Sequence, residues 1–293
     1  MNKYAKDVYC IIVTYNPETS LINCVNKIYN QVDKVLLVDN NSTSGLDYIK
    51  ECLSKEKVEL IRNKTNIGIA SALNIGVKKA LSENYTWILT LDDDSESSET
   101  MIETMISTYF AVPKLDQKKI VALFPNYLDI NAKYNKIDTS LQYTYIETEI
   151  TSGSLMKSTS FENNGFYEDK LFIDYVDHEY CLRIKKNGYK IIRINNAILN
   201  HRLGNNSSIT IFGKTVMFTN HSPSRRYYIT RNRFYVWNKY KNSSAKYISI
   251  DKKLFLHELI KIILFEKEKI LKLKNIIIGY RDYKHNVFIK HNI

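Results

Sequence analysis

At 293 residues, with 44% apolar and 25% charged side chains, the chain has an ordinary globular composition, which excludes general disorder and coiled coil. Nine glycines and four prolines exclude collagen-like or low-complexity character. Forty-two Lys+Arg against 31 Asp+Glu give a net charge of +11, so the expected partner is anionic: a nucleic acid, a phosphorylated small molecule or a lipid surface.

Cys10, Cys24, Cys52 and Cys181 lie far apart with no Cys-x-x-Cys pair. That pattern suits a reducing compartment better than a zinc site or a disulfide framework. The apolar run Val8 to Val13 lacks the length and cleavage site of a signal peptide, and no stretch reaches the roughly 18–20 apolar residues that cross a bilayer. The expectation is a cytoplasmic protein, with peripheral contact at the inner face of the membrane left open.

Taken in chain order, Tyr9–Thr14 is a continuous β-branched apolar run, the mark of a strand buried on both faces. Pro17 and Glu18 open a helix with Leu21, Cys24, Val25 and Ile28 on one side. Val35–Asp39 is a second strand ended by the polar turn Asn40-Asn41-Ser42, followed by a helix over Leu46–Leu53 and a strand over Val58–Ile61. Ile69–Leu81 is helical, Trp87–Leu91 is a fourth strand running into Asp92-Asp93-Asp94, and Ile120–Phe124 is a fifth. Strands alternating with helices predict an α/β layer structure with a mostly parallel sheet. Ligands of such sheets collect at strand carboxyl ends, where Tyr15-Asn16, Asp39-Asn40 and Asp92–Asp94 all lie.

Tyr127–Thr148 is polar and tyrosine-rich, read as loops or a short antiparallel pair. Tyr180–Asn187 is expected to be helical with Gly188 as its C-cap, and Tyr189–Ile194 and Ile198–His201 to be two strands.

Three adjacent carboxylates repel, and strand alternation turns Asp92 and Asp94 the same way. A hard divalent cation would relieve that repulsion; an acidic helix N-terminus is the other reading. Ser97 stands where an EF-hand needs glycine, which argues against that loop. His201, in Asn200-His201-Arg202, is structural or exposed on one reading; on the other it is a third ligand, which would suit Mn²⁺ better than an all-oxygen Mg²⁺ site. Asp174, Asp177 and Glu179 form a second acidic cluster. Asp177 either caps a helix in which Glu179 pairs with Arg183, or takes a proton from an incoming hydroxyl. Gly68 and Gly76 make no Gly-x-Gly-x-x-Gly loop and no P-loop is present, so kinase and dinucleotide-fold readings lose support. The 22 tyrosines follow no RNA-binding motif, and no nucleic-acid partner is expected.

The ordered set Ile12-Val-Thr-Tyr-Asn-Pro17, Val38-Asp-Asn-Asn-Ser42, Asn66-x-Gly68-x-Ala70-x-Ala72-x-Asn74-x-Gly76, Leu91-Asp-Asp-Asp-Ser95 and Phe172-Ile-Asp174-x-x-Asp177-x-Glu179-Tyr-Cys-Leu-Arg183 resembles the inverting glycosyltransferase family 2, with its GT-A fold. The match runs from about Val8 to His201. Arg226-Tyr-Tyr228-x-x-Arg231-Asn232 further resembles the rhamnosyltransferase and galactofuranosyltransferase branch.

The resemblance implies a GT-A catalytic domain over 1–220, with a nucleotide-sugar half to about 125 and an acceptor and base half after it, and a basic, mainly helical region over 221–293. It implies that Thr14, Tyr15, Asn16, Asp39 and Asn40 hold the donor nucleoside and that Asn66 and Ala70 pass near it. Asp92 and Asp94 match the family's Asp-x-Asp and His201 its metal-binding histidine, with Mn²⁺ or Mg²⁺ on the diphosphate and Asp93 assisting through hydrogen bonding. Asp177 matches the general base, with Asp174 as the alternative; Val176 stands where the family often has a second acid. Ser152 and Gly153 align with the sugar pocket, and Arg225, Arg226 and Arg231 either meet diphosphate or form a solvated basic helix. The implied donor is dTDP-rhamnose, UDP-galactofuranose or a UDP-hexose, and the implied acceptor a glycan or polyprenyl-linked precursor of a surface polysaccharide. A non-catalytic nucleotide- or carbohydrate-binding protein of the same fold is the alternative, against which Asp92, Asp94, Asp177 and His201 stand together.

From Lys252 to Lys274, apolar residues alternate with lysines at helical spacing. One amphipathic helix is expected there, packed on the catalytic domain with lysines in water or lying on an anionic membrane.

Overall fold

In a computed structural model, the structure describes residues 4–129, 139–201, 207–211 and 214–290. The chain divides into two compact units, residues 1–169 with 176–202 and residues 170–175 with 203–293. The boundary expected at 220 thus falls inside the second unit, which also takes six residues from the middle of the chain.

The first unit runs β1 (Val8–Thr14), α1 (Ser20–Ile28), β2 (Lys34–Asp39), α2 (Leu46–Leu53), β3 (Val58–Arg62), α3 (Ile69–Ser82), β4 (Trp87–Asp92), β5 (Glu96–Ser97), α4 (Met101–Ala111) and α5 (Lys114–Gln117). It continues with β6 (Ile120–Asp129), β7 (Tyr143–Ile146), β8 (Ser154–Lys157), α6 (Ser158–Asn164), α7 (Val176–Lys186) and β9 (Lys190–His201). The sheet order is β3-β2-β1-β4-β8-β6-β9-β5, with β7 also on β9. β3, β2, β1 and β4 are mutually parallel, as the alternating pattern predicts. Beyond them β8 is antiparallel to both β4 and β6, while β6 and β9 are parallel to each other. The sheet is therefore mixed, and its second half carries short strands that sequence periodicity does not single out.

Alternation sends Val8, Cys10 and Ile12 of β1 into one aliphatic cluster, shared with Leu21, Val25 and Ile28 of α1 and Met105 and Ile106 of α4. Ile11 points the other way, against α3. A Cβ on Gly76 would stand 2.6 Å from the Ile11 side chain, so α3 needs glycine there to lie close on the sheet. All four cysteines are buried free thiols.

Two expectations change. The strands predicted over Tyr189–Ile194 and Ile198–His201 are one strand, β9. Asn195, which falls between the two predicted strands, is 6% exposed and donates to the Leu141 carbonyl and the Thr144 hydroxyl (2.9 and 3.1 Å), so it continues the strand with its amide satisfied. α7 begins at Val176, four residues earlier than predicted, and holds Asp177 and Glu179 in its first turn, where the helix dipole favours acids.

The second unit consists of β10 (Ser207–Ile211), antiparallel to β11 (Lys214–Phe218), followed by α8 (Pro223–Tyr240), α9 (Ala245–Phe265) and α10 (Lys269–Lys284). Ser222 caps α8 by accepting from the Arg225 N–H at 3.2 Å, with Pro223 pre-set in the first turn. The single helix expected over Lys252–Lys274 is instead two, interrupted at Glu266, with Glu268 left-handed at φ 52°. The interruption turns Glu266 inward, where it pairs with Arg226 and Lys272.

Candidate active site

The register of the parallel strands brings the first polar clusters to one edge. Thr14 lies opposite Asp39 across β1 and β2, and Val13 opposite Asp92 across β1 and β4. Asp39 is fully buried and accepts from the Thr14 hydroxyl at 3.2 Å, from the Ser42 N–H at 3.1 Å and from the Ser42 hydroxyl, and it pairs with Arg62 at 3.2 Å. Arg62 belongs to none of the sequence motifs; its signal is the β2–β3 register, which sets it opposite Asp39.

Asn16 adopts φ 52°, a conformation asparagine tolerates well. Its N–H donates to the Ser42 hydroxyl (2.8 Å) and its side-chain carbonyl accepts from the N–H groups of Thr43 and Ser44 (2.8 and 3.1 Å). Asn40 reaches the other way: it donates to the Gly68 carbonyl (3.2 Å) and accepts from the Ile67 N–H (3.2 Å) and the Asn63 amide (3.0 Å). Asn66 accepts from the Gly68 N–H at 3.0 Å, shaping the turn into α3. These residues form a tied rim around the strand ends. Tyr15 stands out from it, 54% exposed, whereas Ala70 is fully buried and lies in the packing rather than on an open surface. Asn74, quoted in the motif without a role, fastens α3 to the 167–169 loop through the Tyr167 backbone and the Asp169 carboxylate.

The Asp92–Asp94 turn is supported from a segment 60 residues away in sequence. Ser152 accepts from the Asp92 N–H at 3.1 Å and shares a 2.7 Å bond with the Ser95 hydroxyl. Gly153 donates to the Thr90 carbonyl at 2.7 Å with φ +81°, and a Cβ there would meet Pro125 at 2.7 Å. The Tyr127 hydroxyl donates to the Ser152 carbonyl at 2.9 Å. Burial, reinforced by the neighbouring charges of Asp92 and Asp94, pushes the Asp93 carboxyl up to about 7.

β5 then pairs with β9, Glu96 opposite Asn200 and Ser97 opposite Leu199. Asp94 precedes this ladder by two residues and His201 follows it by one, so their backbones leave the same short pairing. The His201 side chain lies outside the described residues, as does the stretch 202–206. Among the described residues no three His, Cys, Asp or Glu side chains gather as a metal cage. Two carboxylates on one turn are nonetheless the donor chemistry a hard divalent cation requires.

Asp177 is half-buried in the first turn of α7 and accepts from the His178 N–H at 2.7 Å. Glu179 is fully buried and paired with Arg183, as the i,i+4 spacing predicts; Arg183 also donates to the Asn164 and Phe166 carbonyls. That engagement removes Glu179 from the candidate bases.

The remaining candidates belong to the second unit. Asp174 forms a forked ion pair with Arg225, 3.0–3.3 Å. Arg226 is 3% exposed and donates to Glu266 and Thr219; Arg231 is fully buried, donates to the Lys170, Leu171 and Ile289 carbonyls, and lies over the rings of Tyr227 and Tyr228. Neither the diphosphate contact nor the solvated basic helix describes these two arginines. They are internal ties, and only Arg225 is open to solvent.

Residues 9–163 match the model of glycosyl transferase family 2. The chain is 32% identical to the dTDP-rhamnosyl transferase RfbF of Shigella flexneri, over 94% of this chain and 95% of that protein. Among solved structures it resembles S. aureus TarS 1–349 in complex with UDP-GlcNAc (TM-score 0.59, 15% identity, 96% of this chain and 81% of that one). It also resembles GalNAc-T7 with UDP, GalNAc and Mn²⁺ (TM-score 0.60, 13% identity, 97% of this chain and 57% of that one).

Proposed function

The chain belongs to glycosyl transferase family 2 and is a glycosyltransferase, and from that premise we propose that it moves a rhamnosyl or galactofuranosyl group from a nucleotide-diphosphate donor to a hydroxyl of a glycan or lipid-linked acceptor. Similarity to a dTDP-rhamnosyl transferase along nearly the whole chain favours dTDP-rhamnose. The product would enter a surface polysaccharide or its precursor.

The reaction is a single displacement. The acceptor oxygen attacks the anomeric carbon, the bond from that carbon to the diphosphate oxygen breaks, and Asp177 takes the hydroxyl proton, with inversion. Asp174 is the weaker candidate because its carboxylate is paired with Arg225. Thr14, Tyr15, Asn16, Asp39 and Asn40 would form the nucleoside end, with Tyr15 as the exposed aromatic face. Asp92 and Asp94, with His201, would hold a divalent cation, Mn²⁺ or Mg²⁺. Such an ion neutralises charge on the diphosphate leaving group.

The observation that carries this reading is the β5–β9 ladder, from which the Asp92–Asp94 turn and the His201 backbone both depart. Two measurements on one variant test it. Asp177→Asn should keep the rise in melting temperature that dTDP with Mn²⁺ gives the wild type, while rhamnosyl transfer from dTDP-rhamnose falls by about 10² or more. Transfer at wild-type rate would return the base to Asp174. A wild type whose melting temperature no nucleoside diphosphate raises, with or without Mn²⁺, would end the proposal.

A further inference from the structure

The last two helices have their polarity reversed. On α9 and α10 the acids Asp251 and Asp282 are buried and Glu258 is half-buried. Asp251 accepts from the Trp237 indole (2.7 Å) and the Tyr175 hydroxyl (2.8 Å), Glu258 pairs with Arg233 at 2.9 Å, and Asp282 accepts from the Tyr227 hydroxyl (2.9 Å). Lys272, in the lysine-rich stretch expected to face water, is 1% exposed and bonded to Glu266 and Asn220.

What faces outward is aliphatic and cationic. Leu256 is 59% exposed, Leu264 57%, Ile270 86% and Ile277 67%. On α10 the outward line runs Ile270, Lys274, Ile277, Arg281 and Lys284, all exposed and spaced as one face of a helix. On α9 the exposed Lys252, Lys253 and His257 sit among Leu254, Leu256 and Ile260. The exposed acid of this stretch, Glu268, lies in the turn between the helices, flanked by the exposed Lys267 and Lys269.

A helix folded only against its own unit would turn leucines inward and acids outward. Here ion pairs and hydrogen bonds to α8 share the inward places with Ile248, Ile262 and Ile276, and the remaining leucines and isoleucines are left where water would be. We propose that the outer faces of α9 and α10 dock on an anionic lipid bilayer. Isoleucines and leucines enter the headgroup boundary while the surrounding lysines and Arg281 meet lipid phosphates. Charge decides for lipid over a second copy of the chain: two such faces brought together would oppose lysine to lysine, with Glu268 alone to offset them. The helices lie in the interface and do not cross it, since no helix among the described residues is long and apolar enough to span.

The full chain should float with phosphatidylcholine vesicles containing phosphatidylglycerol, weakly or not at all with phosphatidylcholine alone, and progressively less as salt rises. Ile270→Ser combined with Ile277→Ser should lower the vesicle partition coefficient by about tenfold, since each loses an apolar group from the boundary. Lys269→Glu combined with Lys274→Glu should abolish the preference for phosphatidylglycerol. Both double variants change exposed side chains, and an unaltered circular-dichroism melt would show that they remain folded. Equal flotation of wild type and variants, or no flotation of the wild type, overturns the proposal. So does a wild-type dimer in sedimentation that the isoleucine variant disperses without any vesicle binding, which would give the face to a second copy. None of these results depends on donor binding or turnover, so the docking face and the proposed activity fail separately.

Discussion

In the first unit the interior is aliphatic and, apart from the Glu179–Arg183 pair of α7, its buried ionised groups stand at the ends of strands; in the second, Asp251, Glu266 and Asp282 lie inside with Arg226, Arg233 and Lys272, while many isoleucines and leucines face outward. The contrast teaches where each unit is vulnerable. An apolar core loses stability in proportion to the volume removed, and its neighbours can relax into the gap. A buried ionic network depends on every member, because deleting one leaves its partners charged and dry.

Glu266→Gln gives the contrast its hardest test. Glu266 joins Arg226 (2.5 Å) and Lys272 (2.9 Å), all three at most 3% exposed, and the amide would leave buried Lys272 without its counter-charge and Arg226 with only the longer contact to Glu258 at 3.5 Å. Urea melts should show a loss of about 3–5 kcal/mol. Replacing all three by apolar residues of similar volume should recover most of that, and failure to recover would mean that the network's geometry matters more than its charge.

A smaller effect is expected at Asn232, whose side-chain amide donates to the carbonyls of Leu171, Ile173 and Asp174 at 2.8–2.9 Å. Phe172, Asp174 and Tyr175 all have positive φ without being glycine, a conformation that costs energy and persists only when held. Asn232→Ala should therefore cost about 1–3 kcal/mol, and proteolysis in native buffer should begin within 170–175. Wild-type protease resistance there would place the restraint on the contacts of Arg231, Arg225 and Asp251 with the same segment.

The mildest prediction concerns acid. Burial, aided by Arg225 and Arg226, with Lys272 adding to them and Glu258 opposing, lowers the His221 pKa from 6.5 to about 4. Its folded value lies below its unfolded one, so between pH 6.5 and about 4 the unfolded chain takes up a proton that the native chain refuses. Stability should fall across that window; because the ring is partly open to water, screening reduces the effect to about 1–2 kcal/mol, a few degrees of melting temperature at about 2–4 °C per kcal/mol. His221→Asn should flatten the slope, and an identical slope in both proteins would assign the acid loss to carboxylates.

How far the sequence announced these features follows from which interactions decide them. The strands β1 and β2 and the helices α2 and α3 are set by local apolar periodicity and were readable at nearly their full length. The clusters at Thr14, Asp39 and Asp92 were readable because strand ends need only strand boundaries. What escaped was set by distant partners: the single run of β9 past Asn195, the Glu266 interruption, and Arg62 opposite Asp39. Arg231 shows the limit best. A conspicuous arginine in a family motif suggested a phosphate ligand, and the tyrosines three and four residues before it were the available sign that its guanidinium would be enclosed by rings.

Because residues 170–175 group with 203–293, the second unit is discontinuous along the chain. A ribosome delivers Ile173 before the Asn232 that will clamp it, 59 positions downstream. At roughly 5–20 residues per second that gap lasts several seconds. During synthesis, then, the segment immediately ahead of Asp177 waits unrestrained until α8 has been translated. An expression fragment stopped at 202 would stay in that nascent condition permanently.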